Sequence, residues 1–532
     1  KKNVAWERKQ IQLAYQITKF TIMTEQQSNN KRIAKNTLFL YTRMILIMLV
    51  TLYTSRVILA ELGVEDYGIY NVVGGVVMMF SFLNACMSSS TQRFLTFELG
   101  KNNQSKVNAI FSASLNIHII IALIVIIAAE SIGLYFLNTS LNIPNNRIFA
   151  ANIVFQFSIL TFCINVIQVP YNAVLIAHEK MGIYAYISIL EALFKLAIAY
   201  SISLVSNDKL IIYSILIFIM QLIIRFIYQI YCRKHFEECH FKLFYDKALY
   251  KKLSGFAGWN LFGSIAWIIK DQGVNIVLNI FFGPSINAAR GVALQVSSTV
   301  MNFISNFQIA LNPQITKNYA NGEIVQMEKL VYTGIKFSYF LLLIISLPIC
   351  LNIDYILALW LEEVPLHSNS FICLILIDAL MGILFGVPMM TSLSATGNIK
   401  QYQIVVSSII IMILPVSYIV LSINDNVMLP FYIIILFTIL SGIARFYFCI
   451  KQIRFNLKKY IQLVLLPTFI VSLISIPISL SMKYTFYTIP SFSSFMILTS
   501  ISCLTVIITV WTFGIKNEKK MILEYIKKKL KY

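Results

Sequence analysis

Ionisable side chains stand inside stretches of this chain that are otherwise apolar, and their chemistry is that of charge held away from water. Lys270 and Asp271 are adjacent, Glu191 and Lys195 are four residues apart, and Arg43, Arg56, Arg290 and Asp378 stand singly. An ionised group at the centre of a bilayer costs at least about 2.5–3.5 kcal/mol on insertion scales, so it persists where it faces protein, water or a substrate. Helical spacing puts Glu191 and Lys195 on one face, where they neutralise each other. Lys270 and Asp271 point about 100° apart and must look to different partners. The apolar stretches hold eight basic residues against four acidic ones, Glu130, Glu191, Asp271 and Asp378. A cavity lined by Arg43, Arg56, Lys195, Lys270 and Arg290 attracts anions and repels cations, and Arg and Lys suit phosphate in particular. Glu191, Asp271 and Asp378 are candidate sites for a coupling cation, H+ or Na+. For each single position, packing against an unseen polar partner is the alternative. Arg225, Arg445 and Lys336 stand close enough to inner helix ends to snorkel, as Glu130 and Arg290 do to outer ones. Asp378 stands alone in the outer half of its segment.

The elements that position these groups follow from the composition. With 532 residues, 58% of them hydrophobic and 12% charged, the chain is far more apolar than a soluble globule and reads as an all-α polytopic membrane protein. About fourteen spans are expected, near 38–60, 66–90, 109–137, 148–177, 183–205, 210–232, 255–282, 288–312, 329–351, 368–394, 402–421, 428–449, 459–481 and 492–514. Most reach the length of about 20 residues that a crossing helix needs. Alternate connections carry 32 of the 43 Lys and Arg residues, the others only 3, and the remaining 8 lie within spans. That bias places both termini in the cytoplasm. The expected organisation is a cytoplasmic segment 1–37, an N-lobe 38–232, a basic cytoplasmic loop 233–254, a C-lobe 255–449, accessory spans 459–514 and a basic tail 515–532. The net charge of +20 thus sits mainly on cytoplasmic faces, where anionic lipid headgroups rather than nucleic acid are the expected partner.

The loop 233–254 divides the first twelve spans six and six, and an internal repeat appears across it. At an offset of 220, Glu61-Leu-Gly63 through Gly100-Lys-Asn-Asn103 aligns with Phe281-Phe-Gly283 through Ala320-Asn-Gly-Glu323. At an offset of 218, Val169, Pro170, Leu175, Ala177 and Tyr184 align with Val387, Pro388, Leu393, Ala395 and Tyr402. Six spans per half mean that both copies enter the membrane from the same side, so the repeats are parallel. A proline deep in a span frees a carbonyl and bends the helix. Pro170 and Pro388 are therefore candidate hinges, with static kinks as the alternative.

Other chemistry finds little support. The eight cysteines include no C-x-x-C and mostly lie within spans, so free buried thiols are expected. Cys232, His235, Cys239 and His240 are metal-ligand types, but their spacing fits no zinc pattern. There is no Walker A sequence, and no cofactor is expected. The outer connections are too short for a catalytic domain. Residues 1–22 are polar and basic rather than a cleavable signal, and Met23 is a candidate start, with residues 1–22 an upstream extension.

The stretches Asn36-Thr-Leu-Phe-Leu-Tyr-Thr-Arg43, Glu61-Leu-Gly-Val-Glu-Asp-Tyr-Gly-Ile-Tyr70 and Ser88-Ser-Ser-Thr-Gln-Arg93, set in two six-span lobes with a terminal pair, resemble the polysaccharide-transporter branch of the MATE-like (MOP) flippase superfamily. The nearest likeness is to Wzx-type O-antigen and capsule flippases of the bacterial inner membrane. The resemblance covers about residues 30–515. It implies movement of undecaprenyl-pyrophosphate-linked oligosaccharide from the cytoplasmic to the periplasmic leaflet by alternating access, in the company of other glycan-assembly membrane proteins. It assigns no individual residue. A cation-coupled multidrug exporter of the same fold, a membrane-embedded glycan polymerase or ligase, and an inactive scaffold of glycan assembly are the alternatives. The excess of intramembrane bases speaks against the exporter, and the internal repeat against the enzyme.

Overall fold

The computed structural model describes residues 35–515 and 519, apart from 52, 55–56, 59, 64–65, 67–68, 71–72, 75–76, 78–80, 140–142, 206–207, 241–245, 362–363 and 487–491. The described residues form helices and connections, with no strand among them. Among the described residues, eleven helical segments are long and apolar enough to cross a membrane: 104–139, 145–177, 181–204, 209–235, 247–282, 324–351, 368–396, 400–423, 429–453, 457–484 and 492–514. They correspond to expected spans 3–7 and 9–14. Expected span 8 lies in one 37-residue helix, Pro284–Ala320, whose Ser, Asn and Gln residues make it more polar than the others. Expected spans 1 and 2 include residues outside the described set, Arg56 among them.

The chain divides into two compact units, formed by the described residues of 1–79 with 117–239 and of 80–116 with 240–532. The boundary at 239/240 falls inside the basic loop. Residues 80–116, expected in the N-lobe, group instead with the second unit. The reason is local packing. Helix α1 (Ser81–Gly100) lies against α6 (Lys247–Phe282) and α7 (Pro284–Ala320), and at Gly100 an added Cβ would meet Ala320 Cβ at 2.9 Å and Lys317 Cα at 3.1 Å. Helix α2 (Gln104–Ala128) begins in this unit.

The first unit is built on α3 (Ile148–Ala177), α4 (Met181–Ser201) and α5 (Lys209–His235). One of its buried clusters joins Ile58, Leu62, Ala199, Ile202 and Tyr213. Gln221 donates to Gln168 across 3.1 Å in the interior, which satisfies two amides that would otherwise be costly to bury. At the end expected to face outward, Arg147 bridges two carboxylates. Its Nε donates to Asp66 Oδ1 at 2.8 Å and its Nη1 to Asp208 Oδ2 at 2.6 Å. Asp208 also caps α5, accepting from Leu210 N at 3.1 Å and Ile211 N at 3.3 Å, so an ion bridge and a helix start share one side chain.

In the second unit α8 (Ile324–Leu351), α9 (Ser368–Leu384), α10 (Val387–Thr396), α11 (Lys400–Ile411), α12 (Ile413–Ile423) and α13 (Leu429–Ile453) pack with α6 and α7, and α14 (Leu466–Phe486) and α15 (Phe492–Thr509) add to α8. The backbone carries the repeat seen in the sequence. Gly63 and Gly283 both have φ of 78°, Asn102 at 53° matches Gly322 at 78°, and Glu179 at 58° matches Gly397 at 78°. The first two pairs are 220 residues apart and the third 218. A left-handed residue is uncommon outside glycine, so its recurrence at both offsets is backbone support for the repeat.

The two repeat prolines nevertheless differ. Pro170 lies inside the unbroken α3. Pro388 stands in the first turn of α10, after a break at Phe385 and Gly386 that ends α9. Carbonyls freed by the break are met by side chains: Tyr460 donates to Leu384 O at 2.5 Å, and Arg445 Nη1 donates to Phe385 O. Arg445 is therefore buried and does not snorkel, contrary to expectation. Lys336 is likewise buried.

Candidate functional site

Four of the intramembrane charges expected from the sequence converge in the second unit. Lys270 and Asp271 come from the middle of α6, Arg290 from the first turns of α7, and Asp378 from α9. They line one small, partly open cavity whose apolar wall is Leu294, Leu374, Ile375, Phe431 and Ile434. The 100° step between adjacent helical residues sends Lys270 and Asp271 to different partners. Lys270 Nζ donates to Asp378 Oδ2 at 3.3 Å and lies 4.6 Å from the centre of the Trp267 ring. Arg290 Nη2 stands 3.7 Å from Asp271 Oδ1.

Two corrections follow. Asp378 is not alone, since its partner arrives from α6. Arg290 does not reach the outer surface, since only 4% of its side chain is exposed. A third concerns the sign of the cavity. The expected cationic lining becomes, in this site, two bases against two carboxylates, a balanced set.

The balance is not a saturated one. At 3.7 Å Arg290 and Asp271 attract as ions without a hydrogen bond. Arg290 Nε and Asp378 Oδ1 are buried with no hydrogen-bond partner among the described residues. The Asp271 side chain is 49% exposed and that of Asp378 18%, so the Asp271 carboxylate is the less enclosed of the two. The Lys270–Asp378 pair is drier and correspondingly harder to part. Such a cavity offers an arginine with unused donors to an anionic group and a buried carboxylate oxygen to a donor.

Of the other expected charged site residues, Lys195, Glu191 and Arg43 lie in the first unit, and Arg56 is outside the described residues. Lys195 and Glu191 pair with each other at 2.7 Å, the structural alternative weighed for them, and 46% of the Lys195 side chain is exposed. Arg43 lies over the Tyr184 ring at 4.7 Å and is 3.5 Å from its hydroxyl. Glu130 accepts from Gln156 at 3.2 Å. All three candidates for a coupling cation, Glu191, Asp271 and Asp378, thus have a base of the chain beside them. Among the described residues no three His, Cys, Asp or Glu side chains gather as a metal site. Glu238 of the basic loop pairs with His178, which follows α3, at 2.5 Å.

Two contributors escaped the sequence reading. Arg445 satisfies the broken helix above. Arg93, noted only within its motif, donates from Nε to Ser394 O at 2.9 Å and from Nη2 to Ala395 O at 2.5 Å, binding α1 to the last turn of α10. Gly386 and Gly397 stand at the two termini these arginines serve, but each arginine lies 60 or more residues away in sequence, so no local pattern marks them.

No family model and no curated protein sequence matches the chain. Solved structures do. An outward-facing multidrug resistance MATE family transporter of the MOP superfamily aligns with a TM-score of 0.68 at 13% identity, over 80% of this chain and 96% of its own. The chain has the MATE fold. A MOP superfamily transporter from Pyrococcus furiosus, for which a binding pocket of reverse polarity suggests a different function, aligns at a TM-score of 0.67 with 12% identity over the same shares, 80% and 96%. The MATE transporter ClbM, solved with Rb+, gives 0.66 at 12% identity, again over 80% and 96%. With the MATE fold and eleven helices among the described residues apolar and long enough to cross a membrane, the protein is a multi-pass membrane protein.

Proposed function

We propose that the protein flips a lipid-linked oligosaccharide, with undecaprenyl pyrophosphate as carrier, from the inner to the outer leaflet of a bacterial cytoplasmic membrane. The observation that carries this reading is Arg290, buried in the cavity with unused donors and held by Asp271 only at 3.7 Å. A pyrophosphate supplies the acceptors that Arg290 lacks. Asp271, half exposed, is released to water as the anion arrives. Lys270 adds the second positive charge, and the sugar meets the polar side chains around it. The basic segments 1–37, 233–254 and 515–532 lie against anionic headgroups and set the orientation with both termini inside. Other glycan-assembly membrane proteins supply and consume the substrate.

Coupling by protons suits the site better than coupling by Na+. A proton on Asp378 or Asp271 frees the paired base at once, whereas Na+ must displace an ammonium or guanidinium already in place. The rival reading, an exporter of organic cations, draws on the exposed carboxylate of Asp271 and on the multidrug transporter among its structural neighbours.

Proteoliposomes holding a fluorescent undecaprenyl-pyrophosphate oligosaccharide test the proposal. Protein-dependent translocation, lost in Arg290→Gln and weakened in Lys270→Gln, is expected, with stimulation by an imposed pH gradient and not by a Na+ gradient. Export of a cationic dye with no movement of the lipid-linked glycan would establish the exporter instead.

A further inference from the structure

The break between α9 and α10 is served by a side chain from outside the twelve-span repeat. Pro388 has no amide hydrogen, so the carbonyl four residues before it, Leu384 O, can find no donor within a helix. Tyr460 stands in for the missing amide: its hydroxyl donates to Leu384 O at 2.5 Å. Phe385 O loses its helical donor by a different route, because the Met389 amide turns to Gly386 O at 3.1 Å, and Arg445 supplies the substitute. Arg445 belongs to α13, within the repeat. Tyr460 belongs to the segment 457–484, the first accessory span.

Tyr460 is fixed from several sides, and only 1% of it is exposed. Its ring lies 4.5 Å from that of Phe446, the neighbour of Arg445, 5.4 Å from Tyr332 and 6.1 Å from Phe385. The turn that presents it is pinned to α8 at Asn456. The Asn456 amide donates to Glu328 Oε1 at 2.7 Å, and its carbonyl accepts from the Tyr332 hydroxyl at 3.1 Å. The Phe385 ring in turn fills the space that a Cβ at Gly442 of α13 would need.

We propose that Tyr460 is a latch by which the accessory spans set the angle between α9 and α10. Phe385 and Gly386 are the pivot. One arm, α9, carries Asp378, the partner of Lys270. The other arm, α10, is tied at its far end to α1 by Arg93. With the hydroxyl in place the two half-helices keep one angle. When it leaves Leu384 O, no amide of residue 388 can take over, and α9 turns about the pivot with its carboxylate. Pro170, the counterpart of Pro388 in the repeat, lies within the unbroken α3 and has no such arms to set. The latch acts on the fold itself and holds for any cargo of the cavity.

Hydrogen exchange read by mass spectrometry on the full chain in detergent tests the latch and needs no substrate, so it stands or falls apart from the flippase reading. Tyr460→Phe keeps the ring and removes the hydroxyl. Exchange of the Gly386, Met389 and Met390 amides is expected to rise about fivefold, the effect of losing one hydrogen bond, while α8 and α13 keep the rates of the parent. Pro388→Ala returns an amide to Leu384 O. In that background Tyr460→Phe is expected to change exchange at 384–390 by less than about twofold, because the two substitutions act on one carbonyl. Equal rises in the two backgrounds would overturn the latch, since the hydroxyl would then act independently of the missing amide. Rates unchanged in Tyr460→Phe would overturn it as well, and so would a rise spread evenly over α8, α9 and α13, which marks lost packing rather than one released carbonyl.

Discussion

Lys270 is bound to Asp378 of a neighbouring helix, at 3.3 Å, rather than to Asp271, which follows it in the chain. The pair is nearly dry, with 6% and 18% of the two side chains exposed. Removing one partner of a buried pair leaves a charge with no counter-ion, whereas removing both leaves none. Lys270→Met is therefore expected to cost about 3–5 kcal/mol, and the double variant Lys270→Met with Asp378→Leu clearly less. Thermal unfolding of the purified protein in detergent measures both. A loss in the double variant equal to the sum of the losses in Lys270→Met and Asp378→Leu taken singly would show that the ion pair contributes nothing of its own.

The broken helix at Phe385 gives a second test. Arg445 donates to the Phe385 carbonyl, and a buried carbonyl without a donor costs about 1–3 kcal/mol. Arg445→Leu is expected to lower stability by that amount, and Arg445→Lys to restore part of it, since one ammonium donor reaches one acceptor. Protease sensitivity between residues 384 and 390 is the second readout. Resistance in Arg445→Leu equal to that of the parent would mean that Tyr460 and Gly386 suffice to hold the break.

These two relationships mark the edge of what was legible beforehand. Lys270, Asp271, Arg290 and Asp378 were visible as charges in apolar surroundings, and the 100° step already separated Lys270 from Asp271. What the step cannot say is which neighbouring helix each side chain meets, because that depends on the rotation of α6, α7 and α9 about their own axes. The repeat was visible because left-handed turns demand glycine or a tolerant residue, as at Gly63 and Gly283. The loss of equivalence between Pro170 and Pro388 was not, because a helix breaks only where distant donors such as Arg445 and Tyr460 receive its carbonyls. Arg445 read as a snorkelling residue for the same reason. Its carbonyl partner is 60 residues away.

Asp208 predicts a dependence on pH. Burial opposes its ionisation, but the hydrogen bond from Arg147, the Ile211 and Leu210 amides and the Arg147 charge together hold it below the usual carboxylate range. A carboxylate with a depressed folded value binds fewer protons in the folded state than in the unfolded one. Its contribution is full above the ordinary aspartate value of about 3.9 and is lost as the pH falls through the lower folded value. The melting temperature of the parent should therefore fall more steeply below about pH 4 than that of Asp208→Asn. Asp66 shares the Arg147 bridge, and Glu61 pairs nearby with Lys209 at 2.9 Å, so the difference between the two curves is the quantity to read. Parallel curves would mean that Asp208 titrates alike in both states.

Arg93 binds α1 to α10 through two carbonyls of the latter's C-terminal turn, of which Ser394 O also accepts from the capping Gly397 N at 3.0 Å. The guanidinium fork reaches Ser394 O and Ala395 O together and packs over the Phe94 and Phe97 rings at 4.5 and 4.7 Å. A lysine keeps the charge, which suits a helix C-terminus, but cannot make the paired contact. Arg93→Lys is expected to lose roughly half the stability lost in Arg93→Ala, where about 1.5–3 kcal/mol is expected for charged hydrogen bonds. Hydrogen exchange at 81–100 and 387–396 should rise together in both variants, because each helix end is held by the other. Faster exchange confined to 387–396 would show that Arg93 is a helix cap and no more, with α1 held in place by its packing at Gly100 against Ala320.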